Sequence, residues 1–199
     1  GLKPVIAGGF YIYGSHEEAP PTGDTGIKID AAQAFGTGHH ETTTGCLEAI
    51  DRALKRRRYA SMIDVGTGTG VLAIALAKRT RLPVLATDID PIAVQTTIEN
   101  ARDNGVSRNI IAIEATGLDH RQIATGAPYD MVLANILAGP LVAHAPGVRK
   151  VTQPGATVIL SGILNTQANR VISAYGLQHI VLRHRIEKKE WTTLVLERV

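Results

Sequence analysis

The chain has 199 residues, of which 44% are hydrophobic and 20% charged, and its formal net charge is +3. These proportions are typical of a globular protein, and no apolar run approaches the roughly 20 residues of a membrane-spanning helix. The one cysteine, Cys46, excludes an internal disulfide, which favours a reducing compartment. We therefore expect a cytoplasmic protein with a strand and linker segment over residues 1–33 and one larger domain over residues 34–199.

The N-terminal part of the chain predicts short strands followed by a long helix. Residues 5–13 are rich in β-prone side chains, and residues 27–29 alternate as a strand does. Residues 35–38 contain two glycines and predict a flexible turn. Apolar residues at helical spacing then predict a helix over residues 41–57.

Four cations, at residues 55–58, close this predicted helix. They complement the negative end of the helix dipole, and we prefer this interpretation to a nucleic-acid-binding patch. The run is short and has only Tyr59 as an aromatic neighbour, whereas nucleic-acid sites usually combine larger basic surfaces. The sequence therefore predicts no direct nucleic-acid partner.

Strands and helices alternate from residue 61 onward. Strands are predicted at residues 62–65, 83–87, 109–113, 131–134 and 158–160, and helices at residues 71–78, 90–104, 141–151 and 165–175. Continuous apolar strands between helices indicate a parallel sheet covered on both faces. The last two strands, at residues 180–186 and 192–197, have no helix between them and should pair antiparallel. The expected fold is α/β and Rossmann-like, with a mostly parallel seven-stranded sheet and an antiparallel C-terminal hairpin, as in class I methyltransferases.

The glycine-rich loop at residues 64–70 is the sharpest local signal. Gly66, Gly68 and Gly70 let the backbone turn tightly and approach a ligand closely. The helix that follows offers unpaired N–H groups to an anionic group, such as the carboxylate of a methionyl moiety. The loop therefore predicts a binding site for a nucleoside-type cofactor.

Asp88 ends the next strand, 22 residues after Gly66. A carboxylate there can accept hydrogen bonds from both hydroxyls of a ribose. The alternative role, capping the next helix, suits Asp90 better because Pro91 follows it. We therefore interpret Asp88 as a ligand of the cofactor.

The spacing of the glycines argues against a dinucleotide. Counted from Gly66, the last position of the G-x-G-x-x-G/A fingerprint falls on Val71, and the third glycine comes one residue early, at Gly70. The chain also has no second domain large enough to hold a hydride acceptor. An NAD(P) dehydrogenase is therefore disfavoured.

Asn135 follows the predicted strand at residues 131–134. Ligands of doubly wound sheets bind at the carboxyl ends of the strands, so we expect Asn135 beside the cofactor loop. Its amide oxygen can accept a hydrogen bond from an amine, which makes it the candidate catalytic residue. The alternative is a turn residue or helix cap.

Several other residues are set aside. His39, His40 and Glu41 fit no metal-ligand spacing, and no metal site is predicted. Cys46 is expected to be a small packed residue. Trp191 is expected to pack the final hairpin, with a role in a substrate groove as the alternative.

Longer matches indicate a family. They comprise residues 34–43 (Ala-Phe-Gly-Thr-Gly-His-His-Glu-Thr-Thr), 64–70, 87–91, 134–140 (Ala-Asn-Ile-Leu-Ala-Gly-Pro), 160–164 and 190–191. On these segments the chain resembles the ribosomal protein L-eleven methyltransferase family, PrmA, over nearly its whole length. Members usually carry an N-terminal domain that captures the ribosomal protein, and this chain begins near the end of the linker that follows such a domain.

The resemblance implies an S-adenosylmethionine-dependent methyltransferase domain over residues 34–199. Its acceptors would be amino groups of a large-subunit ribosomal protein, namely the N-terminal amine and lysine side chains, methylated up to three times. The resemblance assigns cofactor binding to Thr43, Gly66, Gly68, Gly70, Asp88 and Asn135, and to an adjoining segment with Phe35, Gly36, Thr37, Gly38 and His40. The ring of Phe35 could hold a methylated cation.

Three alternatives remain open at this stage. The acceptor could be another protein or a small-molecule amine. The chain could also bind a nucleoside without catalysis, or it could be the disfavoured dehydrogenase. Titration with S-adenosylhomocysteine and NAD separates the last alternative from the others.

Overall fold

The computed structural model of the chain describes residues 4–20, 23–30 and 39–199. The strands in these ranges are β1 (Val5–Ala7), β2 (Phe10–Tyr13), β3 (Thr25–Lys28), β4 (Met62–Val65), β5 (Val84–Asp88), β6 (Ile110–Glu114), β7 (Tyr129–Asn135), β8 (Thr152–Leu164), β9 (Ile180–Lys188) and β10 (Trp191–Arg198). The α-helices are α1 (His39–Arg56), α2 (Val71–Thr80), α3 (Pro91–Asp103), α4 (Arg121–Gly126), α5 (Ala138–Lys150) and α6 (Ala168–Gly176). None of these helices is long and apolar enough to cross a membrane.

Seven of the strands form one sheet in the order β6-β5-β4-β7-β8-β10-β9. The first five pair in parallel, whereas β10 pairs antiparallel with both β8 and β9. The predicted α/β fold, with its mostly parallel seven-stranded sheet and antiparallel C-terminal hairpin, is confirmed. The second strand of the hairpin, β10, is the one that joins the parallel part.

Helices cover both faces of this sheet. One hydrophobic core joins α1 and α2 to strand residues such as Met62, and the other joins α5 and α6 to strand residues such as Ile63. Met62 and Ile63 enter opposite cores because consecutive side chains of a strand point to opposite faces. The strands of this sheet therefore read as continuous apolar runs in the sequence.

The strands β1, β2 and β3 form a separate small sheet, and the buried Phe10 joins it to the core on the α1–α2 side. Arg79 of α2 holds this sheet in place. Its guanidinium donates to the Gly8 carbonyl at 2.8 Å and to the Thr25 hydroxyl at 3.0 Å, and lies 4.0 Å from the centre of the Phe10 ring. The described N-terminal residues thus share the core of the domain, and the proposed boundary at residue 33 stays a prediction.

Two elements differ from the sequence-based prediction. Helix α4 was missed because it has six residues and a single buried side chain, Ile123, so it shows no helical periodicity. Strand β8 is much longer than predicted. Its first residue, Thr152, pairs with β7, and its last residue, Leu164, pairs with β10, so its length is set by partners that are remote in the sequence.

Candidate active site

Three strand ends meet at the carboxyl edge of the seven-stranded sheet. Val65, the last residue of β4, pairs in register with residues of both β5 and β7. Gly66, Asp88 and Asn135 each come one residue later in these three strands and therefore lie side by side. Doubly wound sheets bind their ligands at this edge. The structure thus brings together three residues that the sequence assigned to one site.

The loop between β4 and α2 depends on glycine at two positions. Gly66 has a φ of 71°, and a methyl group on it would overlap the side chain of Ile136. Gly70, the N-cap residue of α2, has a φ of 84°, and an added methyl carbon would lie 2.7 Å from Cγ2 of Thr97. A side chain at either position would strain the backbone and clash. The loop therefore packs closely between the β7–α5 turn and α3.

The Asp88 carboxylate ties this loop to the next one. Its Oδ2 accepts a hydrogen bond from the Gly68 N–H at 2.9 Å, and its Oδ1 accepts one from the Asp90 N–H at 3.0 Å. A carboxylate has about four acceptor positions, so about two remain for ligand hydroxyls. Asp90 caps α3 by accepting from the Ile92 N–H at 2.9 Å, as predicted. The capping carboxylate and the candidate ligand carboxylate are therefore different residues.

Asp64 is a buried carboxyl group to which the sequence analysis gave no role. It is 1% exposed, and its Oδ2 accepts a hydrogen bond from the Thr67 hydroxyl at 2.8 Å. Burial raises the pKa of Asp64 to about 7, the Asp88 charge adds to the rise, and the Thr67 hydroxyl opposes it. The signal was present in the sequence, because a carboxylate on a buried strand is unfavourable without a partner. A cationic group of a ligand would be such a partner.

A cavity of about 460 Å³ opens beside these residues, which is within the usual size of small-molecule sites. Its lining comprises His39, Thr43, Asp64, Gly66, Thr67, Gly68, Thr69, Val71, Leu72, Asp90, Ile92, Ala93, Thr96 and Asn135. Two of these residues carry a carboxyl group, and within the described part of the chain no lysine or arginine joins them. This charge distribution favours a cationic ligand over a dinucleotide with its two phosphates.

A second cavity, of about 300 Å³, adjoins the first. It is lined by His39, Thr42, Asn135, Ile136, Leu137, Gly162 and Trp191. Because His39 and Asn135 line both cavities, Asn135 stands where the two meet. Trp191 forms part of the second wall, which supports the substrate-groove alternative that the sequence analysis ranked below hairpin packing.

The predicted site residues differ in their positions. Thr43, Gly66, Gly68 and Asn135 line the larger cavity. Gly70 and Asp88 are not among its lining residues: Gly70 lies against Thr97, and Asp88 accepts the Gly68 N–H of the loop. His40 is exposed on the first turn of α1, and its neighbour His39 lines the cavity instead. Phe35, Gly36, Thr37 and Gly38 lie outside the described residues. The individual roles of all these residues stay predictions.

Residues of α3 are the other part of the lining that the sequence analysis missed. Ile92, Ala93 and Thr96 face the cavity from the first turns of this helix, and Ile92 is 73% exposed. An exposed apolar side chain at a helix start was the available signal, and it suits contact with a flat aromatic base. Such a signal is weak because single exposed apolar residues are common on protein surfaces.

The cavity fits S-adenosylmethionine on the chemistry of its donors and acceptors. The start of α2 can receive a carboxylate, the buried Asp64 an ammonium, and Asp88 the hydroxyls of a ribose. Together with the sheet order, these features define a class I S-adenosylmethionine-dependent methyltransferase. The family model for ribosomal protein L11 methyltransferase (PrmA) matches residues 1–199. The chain belongs to this family, as the sequence resemblance predicted.

Similar proteins agree with this assignment. A ribosomal protein L11 methyltransferase of Rhizobium etli is 48% identical over 202 residues, which cover 100% of this chain and 68% of the relative. A protein of the same description from Brucella suis is 44% identical over 198 residues, covering 99% of this chain and 70% of the relative. The family is therefore shown by relatives as well as by the family model.

Solved structures support the fold. The crystal structure of ribosomal protein L11 methylase from Lactobacillus delbrueckii subsp. bulgaricus superposes with a TM-score of 0.88 at 28% identity, covering 99% of both chains. An RNA methyltransferase from Salinibacter ruber in complex with S-adenosyl-L-homocysteine superposes with a TM-score of 0.59 at 16% identity, covering 75% of this chain and 90% of that one. The second likeness concerns the fold alone.

Proposed function

We propose that the chain transfers methyl groups from S-adenosylmethionine to amino groups of a ribosomal protein, at its N-terminal amine and at lysine side chains. The observation that carries this proposal is the pair of adjoining cavities that meet at Asn135. The larger cavity has the features of a cofactor site, and the smaller one is lined in part by Ile136, Leu137 and Trp191, which the apolar stem of a lysine side chain can contact. The names of the relatives point to the ribosomal protein L11 as the acceptor.

Asn135 is oriented for contact with an amine. Its Nδ2 donates to the Thr42 hydroxyl oxygen at 3.4 Å, and Thr42 in turn donates to the His39 carbonyl at 3.4 Å. The Oδ1 of Asn135 accepts no hydrogen bond from the described residues and is available to an N–H group of the acceptor. In this way Asn135 can aim the nitrogen lone pair at the cofactor cavity.

The acceptor must be a neutral amine, because an ammonium nitrogen has no free lone pair. S-adenosylmethionine, when bound, supplies an electrophilic methyl group on a positively charged sulfur. Partial removal of a lysine side chain from solvent on binding disfavours its charged form and lowers its pKa from the ordinary value of about 10.4. The proton then leaves to solvent before transfer. Catalysis by this chain's residues rests mainly on proximity and alignment.

Repeated methylation of one nitrogen requires few fixed hydrogen bonds. Each added methyl group removes an N–H donor, so a site with several rigid acceptors would lose its partners after the first transfer. Asn135 offers a single side-chain acceptor at the junction. The ring of Trp191, in the wall of the smaller cavity, offers a face that can hold a methylated ammonium at every stage.

The proposal is tested by incubating the 199-residue chain with S-adenosylmethionine and purified ribosomal protein L11, and by reading the products with mass spectrometry. We expect successive additions of up to three methyl groups on amino nitrogens. Parallel reactions contain a cell extract or free small amines instead of the ribosomal protein. Methylation of a protein in the extract or of a small amine, without methylation of the ribosomal protein, would overturn the proposed acceptor. Cofactor binding without turnover on any acceptor would identify a non-catalytic module.

A further inference from the structure

A basic groove lies near the amino edge of the seven-stranded sheet, at the end of the molecule opposite the active site. We define it by Arg52, Arg56 and Arg57 on one wall and by Arg183 and His184 of β9 on the other. Its volume is about 510 Å³. Arg52 and His184 are 132 residues apart in the sequence, so only the fold brings the two walls together.

Positive charge is concentrated in this groove. Four arginines and one carboxylate, that of Glu197, line it, and with His184 neutral its net charge is +3. The whole chain also has a net charge of +3, so the charges outside the groove balance one another. Within the described residues, the three arginines of the first wall form no ion pair. The pair between Arg183 and Glu197 is 3.6 Å long and half exposed, and such pairs are weak.

Two of the cations are held in position before any ligand binds. The Arg57 guanidinium lies 4.6 Å from the centre of the Tyr59 ring, and its Nη1 donates to the Gly155 carbonyl at 2.6 Å. The Nη1 of Arg52 contacts Nε2 of His184 across the groove at 3.1 Å. A guanidinium has five N–H donors, so each arginine keeps donors for an anion. Because their side chains are already ordered, binding costs less conformational entropy.

We propose that the basic groove binds the phosphodiester backbone of a single strand of RNA. Arginine fits phosphate oxygens with two parallel hydrogen bonds, and four arginines along one groove can meet successive phosphates. A single strand is flexible enough to follow a groove of about 510 Å³, whereas a stiff duplex bends only at a cost in free energy. This inference does not depend on the identity of the methyl acceptor, because the groove and the active site are separate.

A phosphodiester strand suits the groove better than an acidic peptide does. It carries one charge per nucleotide whatever its sequence, and it needs no apolar anchor. Among the apolar residues of the lining, Ala53 and Leu196 are buried and only Val195 is partly exposed, so the described residues offer little apolar surface for a peptide side chain. Tyr59 is 4% exposed and lies beneath Arg57, so no aromatic face is open for a base to stack on. Binding should therefore be independent of base sequence.

This proposal departs from the sequence-based prediction of no direct nucleic-acid partner, which attributed the basic run to the dipole of α1. The helix dipole accounts for only part of this arrangement. Lys55 and Arg56 lie in the last turn of α1, where cations are stabilised by the helix end. Arg183 and His184 lie on a strand, and the dipole gives no reason for their position. If the basic run only stabilised the end of α1, substitution of the groove arginines would not weaken anion binding more than substitution of other exposed arginines would.

The test is fluorescence anisotropy of the 199-residue chain with a labelled single-stranded RNA about 12 nucleotides long. We expect the affinity to fall steeply with salt, as it does when phosphates release counterions. The double variant Arg52→Gln/Arg56→Gln should bind about tenfold more weakly at low salt, and its salt slope should fall by roughly 1.4 for two lost contacts to a single strand. Circular dichroism checks that the variant is folded.

The matched control is Arg108→Gln/Arg170→Gln, which removes the same charge from exposed positions outside the groove. It should change RNA affinity less than about twofold. An equal loss in both double variants would attribute binding to overall charge and overturn the proposal. A glutamate-rich peptide of equal charge that binds as tightly as the RNA would also overturn it, because the partner would then be an acidic protein segment.

Discussion

The two ends of helix α1 face opposite kinds of ligand. Its first turn contributes His39 and Thr43 to a cavity lined by carboxyl groups, and its last turns contribute Arg52 and Arg56 to the basic groove. The helix has 18 residues and is therefore about 27 Å long, which exceeds the screening length of about 8 Å at physiological salt. Each end can thus present its own electrostatic environment.

This comparison shows that a modest net charge can conceal two specialised surfaces. The carboxyl groups of Asp64 and Asp90 line a site suited to a cationic nucleoside, while four arginines line a site suited to phosphates. The dipole of α1 is compatible with the basic groove, since cations are favoured at a helix C-terminus.

The largest effect is expected at the junction of the two active-site cavities. Asn135→Ala should lower turnover about 100-fold, because an amine that is no longer aligned loses much of the advantage of proximity. Its affinity for S-adenosylhomocysteine should change much less. Steady-state kinetics and calorimetry measure the two quantities. Turnover equal to that of the unchanged chain would remove Asn135 from the site.

Asp88→Ala should weaken cofactor affinity by about 1.5–3 kcal/mol, the usual worth of hydrogen bonds to a charged group. The loss includes the anchoring of the Gly68 and Asp90 N–H groups. Calorimetric titration with S-adenosylhomocysteine measures the change in affinity. Asp103→Ala, at the C-terminal end of α3, serves as the charge-matched control. Unchanged binding in Asp88→Ala would refute its role.

The pKa of Asp64 predicts a pH dependence. Its pKa is about 7 in the folded chain and 3.8 in the unfolded reference, so between these values the folded state holds more protons. Its contribution to stability without ligand therefore falls as pH rises from about 4 to 7. The ammonium group that S-adenosylmethionine and S-adenosylhomocysteine share favours the ionised form of Asp64 when it binds beside it. Cofactor affinity should consequently rise with pH, by up to about tenfold per unit below 7.

Calorimetry in buffers of different ionisation enthalpy checks this prediction. At pH 6, binding of S-adenosylhomocysteine should release close to one proton from the unchanged chain. The variant Asp64→Asn, which keeps the shape of the side chain, should release markedly fewer. Identical proton release in both chains would show that Asp64 is not the group that ionises.

The smallest effects are expected when a variant at one end of α1 is tested for ligand binding at the other end. Arg52→Gln/Arg56→Gln should change cofactor affinity less than about twofold, because the groove lies beyond the screening length from the cavity. Asp88→Ala should likewise leave RNA binding unaltered. Both variants are compared in the same calorimetric and anisotropy assays. A large effect of either variant at the opposite end would show that the two sites are coupled.

Much of the fold could be predicted from local pattern. The strand at Met62–Val65 was located to the residue, and the start of α3 followed from Asp90 and Pro91, because these signals act within a few residues. The small helix α4 has no such periodicity. The full length of β8 depends on pairing with β7 and β10, which no local pattern encodes.

The functional site likewise divides into residues that local sequence signals located and residues that only tertiary packing brought to the cavity. Gly66, Asp88 and Asn135 were predicted together because parallel strands end at a common edge. His39 and the α3 residues of the lining were not assigned to the site, and Trp191 was given a substrate-groove role only as the alternative. The direction of these side chains depends on how helices and the hairpin pack. Asp64 was visible within the motif, and its raised pKa arises from burial, which exists only in the folded chain.

The sequence by itself determined the class of fold, the cofactor loop and the alternation of strands and helices, because glycine turns, caps and apolar runs act over short distances. Only the tertiary structure decided that two cavities meet at Asn135 and that Arg52 and His184 lie 3.1 Å apart. These groupings join residues that are remote along the chain. Their proximity follows from packing of α1 against the sheet, and no local propensity specifies it.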